Sequence, residues 1–170
     1  MRSEVRLELP DASATEALGE LLGRRLRPGD GLALTGDLGA GKTCVARGVG
    51  RGLGLDDPDA VQSPTYLLVM EHPGPVPMLH VDAYLAEKTR AFLADGGLDY
   101  LLSSPAVVVV EWADRLQDLL PERTLWVHLK PPPRGRQAGR EAILNESPTS
   151  PAAFRQFPWV TELPEILAGA

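Results

Sequence analysis

One cysteine, Cys44, stands among the 170 residues, so an internal disulfide and a multi-cysteine zinc site are both excluded. It falls at the start of a helix, where the helix dipole lowers a thiol pKa, although a small packed residue is the plainer reading. Lysine is scarce: three against fourteen arginines, a skew read as compositional bias. The single asparagine is Asn145, and none of the three lysines is followed two positions later by aspartate. The [NT]-K-x-D motif that reads guanine is therefore missing, and guanine is not the expected base. Net charge is −6, which argues against binding bulk nucleic acid unaided. No apolar run approaches the about 20 residues of a membrane helix. The charged, alternating opening MRSEVRLELP is no signal peptide, so a cytoplasmic protein without membrane contact is expected.

What is present is ordinary for a globular chain: 44% hydrophobic and 24% charged residues, enough for one domain with a proper core. The organising stretch is Leu32–Thr43, LALTGDLGAGKT, an apolar strand running into G-x-x-x-x-G-K-[ST]. Glycines let such a loop curl with its N–H groups inward on phosphate oxygens, and the following helix adds its positive end. Asp37, Leu38, Gly39, Ala40 and Gly41 are the candidate cradle. Lys42 is expected to reach the terminal phosphates and the Thr43 hydroxyl to ligate Mg²⁺.

Around the loop the pattern alternates strands and helices, an α/β domain with a mixed, mostly parallel central sheet flanked by helices. Residues 5–9 alternate as a half-buried strand. Ser13-Ala14-Thr15-Glu16 reads as a capping box opening a helix. The post-loop helix runs to about Leu53, and residues 54–62 form a loop. Strands are expected at 66–71 and 78–82 as a hairpin, with a short helix over 87–94 that Asp95-Gly96-Gly97 stops. Val107–Val110 is a continuous β-branched run, the signature of a strand buried on both faces. A helical turn or two over 114–120, strands at 124–129 and 141–144, and a Pro/Arg/Gly loop over 131–138 complete the body. The domain is placed at 1–145, and 146–170 is a proline-punctuated tail expected to pack on it in short helical turns.

Two apolar strands end in a carboxylate: Val107–Glu111 and Met78–Asp82. Both carboxylates are candidates for the metal shell beside Thr43, one directly and one through water, in an order left open. Thr65, in Ser63-Pro64-Thr65-Tyr66, suits a γ-phosphate sensor or merely a strand start. His80 reads as a structural hydrogen-bond partner. Trp112 suits the nucleotide, a partner interface or the core equally. Arg134, Arg136 and Arg140 are a solvated loop, or the acceptor lid of a small-molecule kinase. A nucleotide-dependent binding switch with little hydrolysis is a further alternative.

The chain resembles the TsaE (YjeE) family, bacterial P-loop ATPases of tRNA threonylcarbamoyladenosine biosynthesis. The resemblance rests on Gly36–Thr43, Ser63-Pro64-Thr65-Tyr66, His80-x-Asp82-x-Tyr84, Gly97-Leu98-Asp99-Tyr100, Glu111-Trp112 and Gly139-Arg140-Glu141. It implies a compact P-loop fold that hydrolyses ATP slowly alone and docks on a TsaB–TsaD heterodimer, with tRNA engaged only through that complex and the chain itself monomeric. TsaD would transfer the threonylcarbamoyl group to the adenosine beside the anticodon, with ATP hydrolysis supporting turnover. By resemblance Thr43 and Glu111 hold Mg²⁺, Asp82 serves hydrolysis, and Trp112 neighbours the site or partner surface. Thr15 and Arg140 border the nucleotide. Leu85-Ala86 stands where the family often has Arg-Leu, and Cys44 where Thr or Ser is usual.

Overall fold

A computed structural model describes residues 4–131, 134–135, 139–146 and 154–170. In chain order the elements are β1 (Val5–Leu9), α1 (Ala12–Arg25), β2 (Gly31–Gly36), α2 (Lys42–Leu53), β3 (Val69–His72), β4 (Met78–Asp82), α3 (Ala86–Phe92), α4 (Leu98–Ser103), β5 (Val107–Glu111), β6 (Thr124–Lys130), β7 (Arg140–Asn145) and α5 (Leu163–Ala168). The strands form one sheet in the order β1-β7-β6-β2-β5-β4-β3. Its centre, β6-β2-β5-β4, is parallel, and β1, β7 and β3 join antiparallel at the margins. The expected α/β architecture is the observed one. Among the described residues no helix is long and apolar enough to cross a membrane.

Two apolar layers sandwich the sheet. One joins Leu18 and Leu22 of α1, Val45 and Val49 of α2 and the inward residues of β1, β6 and β7. The other gathers Leu79, Val81, Val108 and Val110 beneath Leu101 and Leu116. All four valines 107–110 are buried, as the β-branched run required. Phe154, Phe157, Val160 and Leu163 complete the first layer. The Glu146 carboxylate accepts the backbone N–H groups of Gln156 and Phe157, both at 2.7 Å, and Arg123 stacks over the Phe157 ring.

Helices α1 and α2 pack unusually close because glycine faces glycine. A Cβ at Gly48 would lie 2.1 Å from the Glu16 carbonyl oxygen, and one at Gly19 2.2 Å from that of Val45. Backbone cannot yield cheaply, so a methyl at either position forces the helices apart. Gly48→Ala is expected to cost about 2 kcal/mol net of its better helix propensity, lowering Tm by roughly 4–8 °C. A thermal melt checks it, and an unchanged Tm would mean that the helices are free to separate.

Local details depart from the sequence pattern. Helix α1 starts earlier than the capping box implied: Asp11 is the N-cap, its carboxylate accepting the Ala14 N–H at 2.8 Å. Ser13 and Glu16 fall inside the first turns. The strand expected from residue 66 begins at Val69, because 65–67 form a turn whose Pro64 carbonyl accepts the Leu68 N–H and whose Leu68 adopts φ 66°. After α3, Asp95 and Gly96 break helical geometry as expected, but the chain resumes at once as α4. The turn after β5 is 3₁₀ over Ala113–Leu119. Arg136 and most of the expected 131–138 loop lie outside the described residues.

Candidate functional site

The carboxyl ends of β2, β4 and β5 meet at one edge of the sheet, where open parallel sheets bind their ligands. β2 lies next to β5, and β5 next to β4, so Asp82 and Glu111 become register partners at adjacent strand ends. Between them and the start of α2 opens a cleft of about 530 Å³. Thr15, Leu38, Gly39, Ala40, Gly41, Lys42, Thr43, Thr65, Asp82, Glu111, Trp112 and Arg140 all line it. Asp37 does not. It contributes its backbone carbonyl, and the residue lines a neighbouring cavity that shares Trp112 with the cleft.

Gly41, the residue before α2, holds φ 107° and offers no side-chain cap, which leaves the first N–H groups of the helix for an anion. Lys42 is 5% exposed, and its ammonium donates to the carbonyl oxygens of Gly36 at 2.7 Å and Asp37 at 2.9 Å. It sits 4.0 Å above the Trp112 ring centroid, an orientation favoured by the ring quadrupole. Burial lowers its pKa from the ordinary lysine value, while Glu111 and then Asp82 oppose that shift. Trp112 adopts left-handed backbone angles, φ 57° and ψ 37°. That conformation costs a non-glycine residue roughly 1–2 kcal/mol and places a sharp corner directly after Glu111.

Thr43 donates its hydroxyl to Oε1 of Glu111 at 2.9 Å, and His80 Nε2 lies 2.9 Å from the same oxygen. Asp82 is bound on both oxygens. Oδ1 accepts the Tyr84 N–H at 2.8 Å, while Oδ2 accepts the hydroxyls of Thr65, at 2.9 Å, and Ser63. The Arg140 guanidinium, 100 residues from the loop in sequence, donates to the carbonyls of Ala40 and Gly39. Thr15 is fully buried and directs its hydroxyl to the Asp11 carbonyl, so it borders the cleft without offering it a hydrogen bond.

This donor set suits Mg²⁺: one hydroxyl and one or two carboxylates at the base of a phosphate cradle, the mixture with which proteins hold that ion on a nucleotide. Among the described residues no cluster of three His, Cys, Asp or Glu side chains could cage a metal, so phosphate oxygens and water would supply the remaining ligands.

The family model for "Threonylcarbamoyl adenosine biosynthesis protein TsaE" matches residues 9–139. The chain belongs to the TsaE family. Proteins described as tRNA threonylcarbamoyladenosine biosynthesis protein TsaE are similar to it across most of their length. The Bacillus subtilis protein is 38% identical, over 68% of this chain and 71% of its own. That of Mycobacterium tuberculosis is 40% identical, over 72% and 76%. The crystal structure of Bacillus subtilis YdiB superposes with a TM-score of 0.65 at 26% identity, covering 99% of this chain and 94% of that one.

In this TsaE-family chain several residues in or beside the cleft went unassigned at the level of sequence. Ser63 stood in the Ser-Pro-Thr-Tyr motif, yet only the fold shows it bonding Asp82. Tyr84 packs against Trp112 in a tilted arrangement, ring centroids 5.0 Å apart. Arg115 lies over both rings and donates to the Tyr84 carbonyl, bringing a guanidinium close to where Leu85 departs from the family pattern. Cys44 also lines the cleft, its thiol donating to the Ala12 carbonyl at 3.4 Å. Burial, then Glu16, raises its pKa, opposite to the lowering that the helix dipole alone would cause.

Proposed function

We propose that the chain is a Mg²⁺-dependent ATP hydrolase that acts in tRNA threonylcarbamoyladenosine biosynthesis and supports turnover of a TsaB–TsaD complex. The observation that carries this reading is the convergence of Lys42, Thr43, Asp82 and Glu111 on one cleft. The family membership and the descriptions of the relatives supply the process.

In this reading the amides of residues 38–41 and the start of α2 bind the phosphates, and Lys42 leaves the Gly36 and Asp37 carbonyls for the terminal phosphate oxygens. Thr43 and Glu111 would hold the metal, whose charge would offset that of the phosphates. Asp82, pinned on both oxygens, orients the attacking water and accepts its proton. Thr65 links the 63–67 turn to that carboxylate, so a change at the γ-phosphate would reach the exposed Tyr66 and Leu67. Arg140 closes the loop side of the nucleotide, Trp112 walls the opposite side, and Thr15 borders it from α1. The TsaB–TsaD heterodimer is the partner, tRNA is reached through it, and the cytoplasm is the compartment.

Two measurements test this. Purified protein should release phosphate from ATP with Mg²⁺ and not in EDTA; equal release in both would refute the metal-dependent mechanism. Affinity capture from native cytoplasm with ATP or ADP should recover TsaB and TsaD together, and recovery of neither under either nucleotide would refute the partner.

A further inference from the structure

His80 is wholly buried on β4 and touches the cleft only through Glu111. Its Nε2 and the Thr43 hydroxyl both meet Oε1, whose two lone pairs they occupy. Among the described residues nothing hydrogen-bonds Oε2. An ionised carboxylate can only accept, so in this contact Nε2 carries a proton and donates it to Oε1. The other ring nitrogen, Nδ1, is buried and has no partner among the described residues. His80 uses only the nitrogen aimed at Glu111.

We propose that His80 is the positioning residue for Glu111, pinning Oε1 so that Oε2 is the oxygen left for the cation. The proposal rests on the Mg²⁺–nucleotide reading of the cleft and adds the group that orients its carboxylate. Hydrogen bonds behind a metal ligand set its orientation, and losing one costs about 10–100-fold in metal affinity. The geometry gives a polar role to a histidine that faces no solvent: a fully apolar residue would leave Oε1 to Thr43 alone.

The test compares ATP affinity, by calorimetry, with Mg²⁺ and in EDTA. His80→Leu should lose about 10–100-fold of the Mg²⁺-dependent gain and leave affinity in EDTA unchanged. His80→Gln, which keeps an N–H at the Nε2 position, should restore most of that gain, while His80→Asn, one bond shorter, should not. If the leucine variant fails to fold, the Gln–Asn pair carries the test. In the nucleotide-free wild type, ¹⁵N spectra should show His80 protonated at Nε2. A ring without a proton on Nε2, or variants that keep the full Mg²⁺ gain, overturns the role of His80 while the nucleotide reading stands. A wild type with no Mg²⁺ gain overturns the nucleotide reading itself.

Discussion

Asp82→Asn is expected to bind ATP within a few-fold of the wild type and to hydrolyse it about 10²–10⁴-fold more slowly, the range for loss of a positioned general base. The substitution is isosteric. The amide oxygen still accepts the Tyr84 N–H, and the amide nitrogen can donate to the hydroxyls of Ser63 and Thr65 that now donate to Oδ2. The 63–67 turn should therefore keep its place, and only the capacity to take a proton is lost. Glu111 and Thr43 are untouched, so metal-dependent binding should persist. Steady-state phosphate release beside a binding isotherm checks both halves. Normal turnover would remove Asp82 from the chemistry and leave it a pure anchor for the turn. A parallel loss of binding would make it part of the metal shell.

Lys42→Ala is expected to weaken ATP binding by about 100-fold, within the range for truncating one partner of a buried charged contact. In the structure the ammonium is shared between two carbonyls and the Trp112 face. Burial disfavours its charge, and an arriving phosphate reverses that penalty, so the ion pair forms where little water competes. Lys42→Arg should not rescue, because a planar guanidinium cannot occupy the point between the Gly36 and Asp37 carbonyls. Calorimetry with ATP reads the change, and an unchanged affinity would sink the phosphate-cradle assignment of residues 36–43.

The features legible in the sequence are those whose physical cause is local. The phosphate loop needs glycines, a lysine and a threonine at fixed offsets, and these are contiguous. The valine run of β5 and the apolar run of β4 announce buried strands, and their terminal carboxylates are read at the same glance. The boundaries that shifted did so where two local signals competed. Asp11 capped α1 ahead of the Ser13 box, and residues 66 and 67, expected in a strand, lie in a turn beside the hydroxyls of Ser63 and Thr65 that bond Asp82.

Placement is the part that only the tertiary structure decided. Strand periodicity says which residues are buried, and not which strand lies beside which, because pairing joins residues far apart in the chain. The order β2-β5-β4 puts Glu111 next to Asp82 and brings Oε1 to Thr43, 68 positions away, and to His80. The β6-β7 hairpin delivers Arg140 onto the loop. The glycine faces of α1 and α2 carry Thr15 to the cleft. By itself the sequence determined the chemistry available, a glycine-rich loop closed by a lysine and a threonine, and two strand-end carboxylates. The packing of the sheet decided which groups share a site, since hydrogen bonds and burial act through space and residue spacing acts only along the chain.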